Sequence, residues 1–215
     1  MGIYSRVIFP HLCDLLLDNQ RIRRLRQDLL VQAHGRILEI GFGTGLNLPH
    51  YPNSVRAITA VDPNVGMHRL AQRRIRRSPI LVDRQVHPCE HLPFAEASFD
   101  CVVSTFTLCS VADLSASLAE IARVLRPLGQ FLYLEHGLSP DAGVRTWQRR
   151  LNRYEMIFGD GCRLDRDFHH HITLHGFLAD DHAECYLPGV PRTHGYLYRG
   201  TGINGASQVP DRCHG

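Results

Sequence analysis

Residues 37–52, ILEIGFGTGLNLPHYP, lead an apolar run into three glycines at alternate positions, Gly41, Gly43 and Gly45. A glycine turn between a strand and a helix lets backbone approach a nucleotide-like ligand closely. Three ligands compete for it. A phosphate loop of the form GxxxxGK[ST] needs a lysine, and all 24 basic residues of this chain are arginine. A dinucleotide loop, GxGxxG, needs a small third residue for close helix-to-strand packing. Counted from Gly41 that residue is Leu46, and counted from Gly43 it is Leu48. The pattern that remains is ExGxGxG, with Glu39 before the glycines and Asp62 at the tip of the next apolar run, AITAVD. It suits an adenosyl sulfonium. Glycines pass close to an uncharged adenosine, Glu39 lies near the ammonium of an amino-acid tail, and Asp62 accepts bonds from both ribose hydroxyls.

Outward from this turn, the pattern alternates. A leucine stripe (Leu12, Leu15, Leu16, Ile22, Leu25, Leu29, Leu30) predicts one helix over 11–33, and a helix is expected to resume near Leu46. Strands are expected at 36–40, 57–62, 80–86, 99–106 and 130–136, with helices at about 65–77 and 113–125, the latter capped by Asp113. Beyond 136 come helical stretches at about 141–158 and 165–176. The runs AECYLP and THGYLYRG follow, close enough to pair as an edge hairpin. The fold class is therefore α/β: a Rossmann-like, mostly parallel sheet with helices on both faces and a C-terminal antiparallel hairpin. One domain is expected over 1–215: an N-terminal helical lid (1–34), a cofactor-binding core (35–136), a substrate-side part (137–201) and a loose tail (202–215).

The totals fit an ordinary globular chain of 215 residues, 44% hydrophobic and 21% charged. A net charge of +3 gives no reason to expect nucleic acid. The absence of lysine also excludes Schiff-base chemistry. Arginine runs at 21–26 and 69–77 read as solvated helix faces, and an anionic membrane or substrate patch is the competing reading. Seven scattered cysteines with no CxxC pair read as reduced thiols of a cytoplasmic protein. The start, YSRVIFPHLCDLLLD, is an amphipathic element that either lies on a membrane or caps a pocket.

With these residues in view, the chain resembles the class I S-adenosylmethionine-dependent methyltransferases. The resemblance rests on ILEIGFGTGLNLPHYP, VDPN, CEHLPFAEASFDCVVSTFTLCSV and EIARVLRPLGQFLYLEH. TLCSV, LEH and GCRLDRD point further, to the methyltransferase-like 7 (thiol methyltransferase) branch. The resemblance implies S-adenosyl-L-methionine as cofactor and a small-molecule methyl acceptor, a thiol first. Gly41, Phe42, Gly43, Thr44 and Asn47 would line the amino-acid and ribose side, with Pro63 near the adenine and Cys89 and Glu90 at its edge. Thr105 would face the sulfonium. Pro88 replaces the acid or serine that many relatives place near the adenine amine.

Methyl transfer from a sulfonium is an in-line displacement, so positioning carries most of the catalysis. A thiol, with a pKa of about 8.5, needs little help to ionise. His136, closing LEH, is either a base at the site edge or a structural hydrogen-bonding residue. Glu135 alternates away from it and is expected to pair with a basic group. Asp160 and Cys162, in FGDGC, occupy a turn over the pocket, and Cys109 reads as a buried small side chain. Tyr4 either belongs to the lid or packs in the core. In RDFHHHITLH, His171 and His175 share a helix face, but no carboxylate or cysteine at ligand spacing completes a set, so no metal is expected. The rival readings are N-methylation of an aminophospholipid headgroup, with the arginine helices and N-terminus facing a membrane, and a non-catalytic cofactor-binding or scaffold protein.

Overall fold

The structure, a computed structural model, describes residues 2–205. Its centre is β1 (Ile37–Ile40), four consecutive buried residues. Such a strand is covered on both faces, which suits the apolar Ile37, Leu38 and Ile40, and the acid Glu39 is buried among them. Parallel neighbours are β2 (Ala57–Val61) and β4 (Phe99–Thr105), then β3 (Leu81–Gln85) beyond β2 and β5 (Leu125–His136) beyond β4. The hairpin of β6 (Phe177–Tyr186) and β7 (Tyr196–Asn204) completes a seven-stranded sheet of order β3-β2-β1-β4-β5-β7-β6, with β7 antiparallel to both neighbours. The expected edge hairpin is therefore present, with β6 outermost.

Alternation along the central strands feeds two cores. Phe99, Val102, Phe131 and Tyr133 pack on one face, under α4 (Leu114–Val124). Cys101, Val103, Leu132 and Leu134 pack on the other, under α2 (Gln20–Leu30). Further helices are α1 (Phe9–Leu17), α3 (His68–Ile75), α5 (Ala142–Phe158) and α6 (Phe168–Leu174). Asp113 caps α4 as expected, accepting from the Ala116 amide at 3.0 Å.

Five expectations need correction. The helix over 11–33 is two helices, because Asn19 accepts from the Arg21 and Ile22 amides and starts α2 afresh. Its leucine stripe divides there too: Ile22, Leu29 and Leu30 are buried, whereas Leu12, Leu15 and Leu16 lie exposed on α1. The helix expected near Leu46 is a single 3-10 turn, Leu48–His50, with Pro49 inside it and Pro52 just after it. β5 begins at Leu125, five residues before Gln130, with a register irregularity against β4. Finally, β7 continues through Asn204, so the loose tail does not begin at Gly202; from 206 onward it lies outside the described residues.

Candidate active site

A cavity of about 340 Å³ opens beyond the C-terminal ends of β1, β2 and β4, the usual ligand position in an open α/β sheet. Its lining includes Glu39, Gly41, Phe42, Gly43, Thr44, Asn47, Asp62, Pro63, Cys89, Glu90 and Thr105. Asp160 also lines it, whereas Gly45 and His136 do not. Thus every residue given a cofactor role in the sequence except Gly45 lines one space, and Asp160 joins them.

The glycine turn has two different jobs. Gly41 has φ +65°, and a methyl there would overlap the Thr107 side chain, so it serves close packing. Gly43 has φ +56°, and a methyl there would meet nothing nearer than the Gly41 carbonyl at 3.7 Å. That open side faces the cavity and is the cradle an adenosyl ligand needs. The Gly43 amide donates to Asp62 Oδ2 at 2.6 Å and the Asn64 amide to Oδ1 at 2.7 Å. Burial raises the Asp62 pKa, and these two amides oppose the shift. One lone pair on each oxygen remains for ribose hydroxyls.

Glu39 is buried at the end of β1, where Asn47 Nδ2 and Tyr51 Oη donate to it at 2.9 and 2.7 Å. Desolvation raises its pKa to about 7 against the pull of those donors and of Arg26. Arg26 is the residue that helix reading missed. Rather than being solvated, it is 3% exposed and enters the cavity. Its Nη1 donates to Asn47 Oδ1 at 2.5 Å and Thr105 Oγ1 at 2.6 Å, while its Nε is buried without a partner among the described residues. Burial lowers its pKa to about 10, so it stays charged at neutral pH. A buried acid beside a buried, under-partnered cation fits a zwitterionic amino-acid tail. The one sign available beforehand was that Arg26 lies one turn from the buried positions Ile22, Leu29 and Leu30.

Arg74, also read as solvated, donates to Asp14 on α1 at 2.8 and 3.1 Å and to the Thr44 carbonyl at 3.1 Å. Thr44 Oγ1 donates to the same carboxylate at 2.6 Å. The N-terminal element thus caps the cavity, with Phe9, Cys13 and Leu17 in its wall. Asp160 fastens it by accepting from Ser5 Oγ at 2.7 Å. Tyr4 donates to the Phe158 carbonyl at 2.6 Å and packs outside the cavity lining. At the far end, Glu90 accepts from the Ala112 amide at 2.9 Å, and burial pushes the Cys89 thiol up to about 12.

Glu135 does not pair with a basic group. Fully buried, it accepts from Ser104 Oγ and from the amides of Thr107, Leu108 and Cys109, holding the turn after β4 as a nest of amides holds an anion. His136 sits behind that turn with Nε2 2.8 Å from Cys162 Sγ. His175 Nδ1 lies 2.8 Å from the His171 backbone carbonyl, and neither histidine belongs to a three-ligand cluster among the described residues. Instead, His169, His182 and Glu184 converge on an exposed face, and Cys109, His136 and Cys162 converge inside.

Comparison with known proteins agrees with this geometry. A family described as Methyltransferase domain matches residues 38–133. The chain is 32% identical to the human thiol S-methyltransferase TMT1B over 74% of its length and 70% of that protein's. It is 34% identical to human TMT1A over 61% of the chain and 55% of that protein, so it spans about half of that relative. A phosphatidylethanolamine N-methyltransferase of Cereibacter sphaeroides is 32% identical over 76% of the chain and 77% of its own length. Among solved structures, an S-adenosylmethionine-dependent methyltransferase of Thermotoga maritima superposes with a TM-score of 0.66 at 18% identity, covering 94% of this chain and 98% of that one. A geranyl diphosphate methyltransferase in complex with S-adenosylmethionine gives 0.65 at 14% identity, covering 85% and 84%. With these identities and its sheet order, the chain belongs to the class I S-adenosylmethionine-dependent methyltransferases.

Proposed function

We propose that the protein transfers a methyl group from S-adenosylmethionine to the sulfur of a small, apolar thiol. The observation that carries this reading is the identity with thiol S-methyltransferases across most of the chain. The cavity supports it: beside its polar cofactor side it presents Phe9, Leu17, Met67, Phe106 and Val111. The carboxylate nearest the lid, Asp160, is already engaged by Ser5, which suits a nucleophile that ionises with little help from a base. When bound, S-adenosylmethionine supplies an electrophilic methyl on sulfur. Arg26 and Glu39 are assigned to the carboxylate and ammonium of its tail, Asp62 to the ribose, and Cys89 and Glu90 to the adenine edge. The described cysteines are free thiols, which fits the reducing cytoplasm.

A second reading, N-methylation of an aminophospholipid headgroup, is favoured by the Cereibacter relative and by an apolar, arginine-flanked outer face on α1 and α5. One screen separates them: labelled S-adenosylmethionine with thiols, amines, phenols and phosphatidylethanolamine vesicles. Sulfur methylation is expected. Products confined to nitrogen, oxygen or carbon overturn the thiol assignment, and cofactor binding without any product favours a non-catalytic protein.

A further inference from the structure

Cys109, His136 and Cys162 come from three separate places: the turn after β4, the end of β5 and the loop after α5. Their ligand atoms nevertheless lie within 4.8 Å of one another in the interior. Hydrogen bonds hold these places against one another. Glu135 holds the amides of the Cys109 turn from one side, and Arg166 donates to its Leu108 and Val111 carbonyls from the other. The Arg163 amide donates to the Cys109 carbonyl at 3.0 Å, tying the Cys162 loop to that turn, and Asn152 Oδ1 accepts from the Leu164 amide at 2.8 Å. Two thiols and an imidazole with no carboxylate among them form a soft donor set, the kind chosen by zinc-class ions over magnesium or calcium. Tetrahedral ligation at about 2.3 Å to sulfur and 2.0–2.1 Å to nitrogen separates ligand atoms by roughly 3.5 Å, within small side-chain adjustments of the present spacing.

We propose that Cys109, His136 and Cys162 form a binding site for one zinc-class divalent ion, contrary to the metal-free expectation from sequence. Three protein ligands leave a fourth tetrahedral position, the pattern of zinc sites that hold water or a substrate atom. Ser110 and Asp160, each close in sequence to one of the two cysteines, line the cavity, although the three ligands themselves do not. On binding, both thiols are lost to thiolate: two Sγ–metal bonds and one nitrogen–metal bond form, and two protons pass to solvent.

The test uses the full chain, reduced and stripped by a chelator, titrated with cobalt(II) and then with zinc(II). Expected are saturation at one ion per chain, near-UV sulfur-to-cobalt charge-transfer bands, displacement of cobalt by zinc, and two protons released per ion. C109S, H136Q and C162S should each weaken binding beyond the roughly 10–100-fold typical of losing an outer-shell partner. C185S, at an exposed thiol, should leave it unchanged. Thermal unfolding of each metal-free variant establishes that it is folded, and Cys109→Ala and Cys162→Ala replace any serine variant that is not. Binding that does not saturate, or that survives loss of both cysteines, overturns the site. Neither methyl donor nor acceptor is present, so this outcome is independent of the thiol assignment.

Discussion

At the residue scale, the buried pair Arg26 and Glu39 makes cofactor binding depend on pH in a definite direction. Glu39 has a pKa of about 7 in the free protein because it is buried, and only its ionised form attracts an ammonium. Affinity should therefore rise as pH increases through 7. It should fall again above about 8, where an α-amino group of pKa about 7.7–8.0 loses its charge. Calorimetry from pH 5.5 to 9 should trace this bell, and Glu39→Gln should abolish its acid limb; an unchanged limb removes Glu39 from the tail site. Arg26→Met should shift that limb to higher pH, because the nearby cation lowers the Glu39 pKa. Asp62→Ala loses two hydrogen bonds to a charged acceptor, each of about 1.5–3 kcal/mol. It should weaken S-adenosylmethionine at least about 100-fold, and a change below tenfold would remove Asp62 from the ribose.

At the element scale, the contacts that hold the N-terminal segment include Asp14 with Arg74, Ser5 with Asp160, and Asn64 Nδ2 donating to the Ser5 carbonyl at 3.0 Å. Beneath it, Gly66 packs so closely that an added methyl would overlap the Arg6 backbone, although its own φ is ordinary. Gly66→Val should therefore displace the segment at a cost of about 1–3 kcal/mol. Cofactor dissociation should accelerate roughly ten- to a hundredfold, with faster proteolysis near residues 3–12; stopped-flow release at the wild-type rate would show that the segment does not gate the cavity. Only part of this was legible in the sequence. Strand runs, the glycine turn, Glu39 and Asp62 obey local periodicity and spacing, so they could be read directly. Arg26, Arg74 and Glu135 could not, because a charged residue on a helix or strand end shows its partner only after distant segments pack. The break before α2 was readable in principle, since Asn19 is a strong N-cap type, but the leucine stripe on either side concealed it.

At the scale of the whole molecule, α1 is apolar on two sides. Phe9, Cys13 and Leu17 face the cavity, while Leu15 (78% exposed) and Leu16 lie outside. Ile3, Val7 and Ile8 continue that outer surface. The Tyr4 bond to the Phe158 carbonyl joins it to exposed Ile157 and Phe158 at the end of α5. Exposed Arg149, Arg150 and Arg153 of α5 and Arg6 accompany these apolar residues. No helix among the described residues is long and apolar enough to cross a membrane. The arrangement instead matches elements that lie in an anionic bilayer interface, where each arginine contributes about 1 kcal/mol within a screening length of roughly 8–10 Å. It follows that the protein should co-sediment with phosphatidylglycerol-containing vesicles, and less so as salt rises or when the vesicles are neutral. Replacing Leu15 and Phe158 together by glutamate should abolish sedimentation while S-adenosylmethionine binding persists. If the protein stays in the supernatant with anionic vesicles at low salt, the membrane-facing reading fails and the aminophospholipid alternative loses its structural support. If it binds, the cavity wall and the docking face belong to the same helix, giving an apolar acceptor a short route from bilayer to methyl donor.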